Sequence, residues 1–131
     1  MEKISKRIQY SNGDRKCEAR LEAFVEGLCT LRIKIEDGTE YISTAHDFFE
    51  CFKKIRNENK GLKFYCKGAK KNVFPSRMTR QMSLGLSAYE TSLGVQARKE
   101  NLVNIFDYEE QDLVTDPSEQ DEYQQEWFAS L

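Results

Sequence analysis

Four thiols and one imidazole are the side chains whose chemistry would be easiest to recognise: Cys17, Cys29, Cys51, Cys66 and His46. A Cys–His pair would give a nucleophile and its base, and four soft ligands would give a zinc site. The spacing favours neither. The cysteines are separated by 11, 21 and 14 residues with no CxxC pair, and His46 has no second histidine to join it. Cys17 and Cys29 instead fall in phase with the apolar positions Ala19-Leu21-Ala23 and Leu31-Ile33-Ile35, as buried reduced thiols do. GxSxG, Walker A, GxGxxG and HExxH are absent, so neither a catalytic apparatus nor a metal or cofactor site is expected.

Charge is the stronger signal. From Lys60 to Lys99 the chain holds nine Lys or Arg against Glu90 alone; from Glu100 to Leu131 it holds ten carboxylates and no cation. The net charge of −2 conceals this segregation. Lys67, Lys70, Lys71, Arg77 and Arg80, interleaved with Tyr65 and Phe74, have the composition of a nucleic-acid contact. Asp107, Glu109, Glu110, Asp112, Glu119, Glu122 and Glu126 would offer fixed negative charge to a basic protein and steer its approach. Pairing of one block with the other inside the molecule is the simpler use of both.

The elements that must carry these groups read as one α+β domain over residues 1–131. Ile4, Ile8 and Tyr10 share one parity, and period-two alternation recurs over Cys17–Val25 and Leu28–Ile35. Asp37-Gly38 marks a tight turn into a strand over Thr39–Ser43. These make an antiparallel meander. Thr44 reads as the cap of a helix from Ala45 to about Glu58, with Asp47 in its first turn and Ala45, Phe48, Phe49, Phe52 and Ile55 at helical spacing. Leu62–Cys66, Leu86–Leu93 and Leu102–Phe106 are further strands, Leu113-Val114 a short edge, and Ser76 caps a short helix over Arg77–Leu84. The expected whole is a largely antiparallel sheet of six or seven strands with two main helices and one short one.

Asp116-Pro117-Ser118-Glu119 combines three start signals for a last helix, Pro117 to about Ala129. At 100° per residue Tyr123, Trp127 and Leu131 form one stripe, and Glu119, Glu122 and Glu126 another. The rings should dock and the acids face outward. No apolar run reaches membrane-spanning length and MEKISKRIQY has no secretion-signal core, so the expected compartment is the cytoplasm, with no membrane partner.

With its VFPSRMTRQMSLGLSAY and NIFDYEEQ segments and terminal DPSEQDEYQQEWFASL, the chain resembles the small acidic immunity proteins encoded beside bacterial polymorphic and contact-dependent growth-inhibition toxins. The resemblance is one of type and brings no residue roles with it. It implies a tight one-to-one complex with a cognate toxin domain, often a nuclease, neutralised by covering its active site or a nearby surface; the charge pattern suits a basic nuclease, and the missing motifs suit a chain with no enzymatic activity of its own.

Overall fold

The computed structural model describes residues 2–131. β1 (Ile4–Asn12), β2 (Arg15–Glu26), β3 (Leu28–Lys34) and β4 (Glu40–Ala45) form the meander that alternation and turn residues predict. Gly13, Gly27 and Gly38 lie in its three connections at φ +80°, +74° and +93°, a region closed to most side chains. Odd positions of β2 and β3 point inward: Ala19, Leu21, Ala23, Leu31 and Ile33 are all nearly inaccessible. α1 (Phe48–Glu58) covers this face with Phe48, Phe49, Phe52 and Ile55. β5 (Leu62–Phe64) then pairs antiparallel with β1, giving the sheet order β4-β3-β2-β1-β5.

The remaining strands leave that sheet. After β5 the chain turns through a 3₁₀ segment, Lys67–Ala69, in which Gly68 donates to the Ile105 carbonyl at 2.7 Å. A side chain at Gly68 would meet Ile105 and Phe52 at 3.0–3.1 Å, so any larger residue would force them to shift at this crossing. β6 (Val73–Phe74), β7 (Ser87–Glu90) and β8 (Leu102–Asn104) form a separate antiparallel sheet, β6-β7-β8. The single sheet of six or seven strands is therefore corrected to eight strands in sheets of five and three. Both share one core, in which Phe52 packs edge-on to Phe64 and Phe106.

α2 (Arg77–Ser83) is capped by Ser76, whose Oγ accepts from Thr79 N at 3.1 Å. Its C-terminus abuts the start of α1: Phe48 N–H donates to the Leu84 carbonyl at 2.7 Å. The start of α1 differs from expectation. β4 stays extended through Ala45, paired with Cys29, so Thr44 is a strand residue and His46 lies outside the helix. Asp47 is the cap, accepting from Glu50 N at 2.8 Å. α3 (Ser118–Ser130) follows the Asp116-Pro117 signal, with Asp116 Oδ1 accepting from Ser118 N at 3.0 Å. Leu113, expected on a short edge strand, makes only an isolated bridge to Lys70.

Candidate functional site

Three of the four thiols are buried where nucleophile chemistry is disfavoured. The Cys29 thiol faces the His46 backbone carbonyl at 3.6 Å, not its imidazole, which lies on the exposed side of the chain. Burial pushes the Cys29 thiol up, Cys51 up to about 11 and Cys66 up to about 12. Raised thiols of this kind are held protonated and unreactive. Among the described residues no three His, Cys, Asp or Glu side chains gather as a metal site, and no helix is long and apolar enough to cross a membrane.

Three of the five cations singled out in the basic block are paired within the molecule. Lys67 and Lys70 both reach Glu109 Oε1, at 3.1 and 2.9 Å, and both also pair with Glu90, at 3.2 and 3.6 Å. Arg80 donates to Asp47 Oδ2 at 2.6 Å and lies 3.8 Å from Glu50. Only Lys71 and Arg77 of the five cations stand exposed and without an ion pair among the described residues. Glu109 is 9% exposed, the only one of the seven singled-out carboxylates that is buried. Partial desolvation pushes its carboxyl up, but the backbone N–H groups of Gln111 and Glu110 and the two ammonium groups outweigh this and bring it down to about 2. It is a structural anion, not a surface one.

The other acidic positions divide by geometry. Asp107 is exposed and pairs with Lys6 at 3.0 Å. Glu110 accepts from the Tyr108 hydroxyl at 3.2 Å, and Asp112 takes a left-handed backbone, φ 53°, whose carbonyl accepts from Lys71 N at 2.8 Å. Glu119, Glu122 and Glu126 are exposed on α3 and take part in no ion pair among the described residues. The helix's own ion pair runs through Asp121, which Lys53 holds at 2.7 Å.

What fixes α3 is partly a residue that the aromatic stripe does not include. Gln120 is 2% exposed; the two hydrogens of its amide nitrogen are shared among the carbonyls of Gly68, Lys70 and Val73, at 2.9, 2.9 and 3.2 Å. Its amide oxygen accepts from Arg56 Nη2. Arg56 is 1% exposed, with its guanidinium 5.1 Å above the Phe52 ring and its Nε and Nη1 without partners. Desolvation pulls it down to about 10. Trp127 completes the attachment, packing edge-on to Phe74 and donating to the Val95 carbonyl at 2.9 Å. Tyr123 is half-buried and Leu131, placed in the same stripe by spacing, is 54% exposed. On the flank of α3 away from Glu122 and Glu126, Phe74, Met78, Tyr89, Trp127 and Phe128 border an apolar hollow of about 450 Å³.

Gln120 sits at i, i+3 and i+7 with Tyr123 and Trp127, a periodicity that marks it as inward-facing despite its polarity. Comparison with protein-family models and with curated proteins gives no match.

Proposed function

We propose that this protein is a non-enzymatic inhibitor of the immunity type, which binds a cognate toxin domain, a basic nuclease, through the carboxylates of α3. One observation carries the reading: Glu119, Glu122 and Glu126 point to solvent, unpaired among the described residues, from a helix held by Gln120 and Trp127. Carboxylates on an anchored helix lose little freedom when a cationic cleft meets them, and their field speeds its approach. Glu109 is excluded from this surface by its pairing with Lys67 and Lys70.

The reading is tested by co-expression with the toxin domain encoded beside it. The chain should restore growth and co-purify as a one-to-one complex, and Glu119→Lys, Glu122→Lys and Glu126→Lys together should abolish both. Protection that survives the triple reversal contradicts the docking surface; a neighbouring reading frame with no toxin domain contradicts the immunity reading itself.

A further inference from the structure

The solvent face of the five-stranded sheet holds a charge pattern that docking through α3 leaves unused. The register sets Arg7 opposite Arg20 and Arg20 opposite Lys34, so three cations stand side by side across β1, β2 and β3. At strand spacings of about 4.8 Å the row is roughly 10 Å long. Like charges placed directly opposite one another destabilise a sheet. Neighbouring cations are neutralised: Lys3 and Arg32 hold Glu22, Arg32 also holds Glu40, and Arg15 holds Glu36. Within the row only Arg7 has a carboxylate, Glu18 at 3.7 Å; Arg20 and Lys34 have none among the described residues. A trough of about 500 Å³ lies over them, walled by Arg32, Glu22 and Glu40.

One strand beyond Arg7 the row meets an aromatic platform. Tyr65 N–H donates to the Gln9 carbonyl at 2.9 Å, which places Tyr65 beside β1 two residues from Arg7. Its ring stacks on Tyr108, with centroids 6.2 Å apart and planes 8° from parallel. Lys16 Nζ lies 4.4 and 4.7 Å from the two centroids, and Lys63 Nζ lies 5.4 Å from that of Tyr65. Tyr108 is 47% exposed. Lys34, Arg20, Arg7, Tyr65 and Tyr108 thus form one track across the sheet.

From this track we infer that the sheet face binds single-stranded nucleic acid, with two or three phosphates on Arg7, Arg20 and Lys34 and a base against the Tyr65–Tyr108 pair. Cations that follow a backbone beside rings that accept any base are what such strands require. An acidic protein segment would neutralise the row but leave the rings without a role. The face lies across the sheet from α1, and so from α3, which is tied to α1 through Arg56 and Lys53. Binding here is independent of the toxin.

The test is fluorescence anisotropy of the whole protein with a labelled oligouridylate of roughly twelve nucleotides. Binding should weaken with salt at a log–log slope of about −2, the value for three phosphates on a single strand. Arg20→Glu with Lys34→Glu should weaken it more than about tenfold and flatten the slope. Arg20→Gln with Lys34→Gln gives the same direction if charge reversal harms folding. Tyr108→Ala should cost roughly 5- to 150-fold, and Glu119→Gln, Glu122→Gln and Glu126→Gln together should change nothing. No anisotropy change at about 50 mM salt overturns the inference, as does binding that ignores Arg20 and Lys34. Displacement by polyglutamate combined with indifference to Tyr108→Ala would overturn it in favour of an acidic protein.

Discussion

Glu109 and Glu126 belong to the same acidic run, yet the fold gives them opposite surroundings. Glu109 lies under two lysines and accepts from two backbone N–H groups, while Glu126 stands on the outer side of α3 with neither. The cations divide in the same way: Lys67 and Lys70 are spent on Glu109 and Glu90, whereas Arg20 and Lys34, from a part of the chain balanced in charge, stand unpaired among the described residues. Charge density along the sequence therefore predicts poorly which charges a partner can reach. Burial and register decide it.

The attachment of α3 is where this division breaks most severely. Gln120→Leu removes the acceptor for a buried guanidinium and the donor for three carbonyls, and should destabilise the protein by roughly 3–5 kcal/mol in urea denaturation. Arg56→Met removes the buried charge along with its unmet hydrogen bonds and should cost clearly less. If the two substitutions are equally damaging, the guanidinium is not what Gln120 is there to satisfy.

Glu109→Gln should follow, at roughly 2–3 kcal/mol, because two lysines lose a shared anion. The pH dependence sharpens the point. A carboxyl held at about 2 in the folded protein and near 4.5 when unfolded contributes stability that is fully present above the unfolded value and is lost as pH falls towards 2. Urea midpoints for the wild type should fall between about pH 4.5 and 2 more steeply than for Glu109→Gln. Parallel curves would mean that Glu109 contributes no such linkage.

Gly85→Ala should cost about 1–3 kcal/mol in the same assay. The glycine has φ +74°, and a Cβ there would lie 2.7 Å from Asp47 Oδ1, against the group that caps α1 and receives Arg80. Smallest of all is the stripe: Glu119→Gln, Glu122→Gln and Glu126→Gln together should move stability by less than about 1 kcal/mol, since exposed side chains without partners contribute little.

The meander was readable because alternation and turn glycines act locally, and β1 to β4 pair with their sequence neighbours. Division into two sheets was not, since it depends on Gly68 passing close to Ile105, a contact between distant parts of the chain. Thr44 and Asp47 both suit a cap; pairing of Ala45 with Cys29 decided between them. The helical angles put Glu119, Glu122 and Glu126 outward and Trp127 inward, but they also put Leu131 among the docked residues, and it is 54% exposed, while the buried Gln120 gave no apolar signal. Nothing local distinguished Glu109 from Glu110, as burial of one carboxylate required lysines about forty positions away to arrive beside it.

The most direct test of this division is the affinity of the proposed partner, the toxin domain, by calorimetry, for the wild type, Glu109→Gln and the triple Glu119→Lys, Glu122→Lys, Glu126→Lys, each with its melting temperature. The account predicts that the triple variant melts as the wild type does but binds at least about a hundredfold more weakly, while Glu109→Gln melts lower and binds as before. Unchanged affinity in the triple variant, or a loss confined to Glu109→Gln, would contradict it.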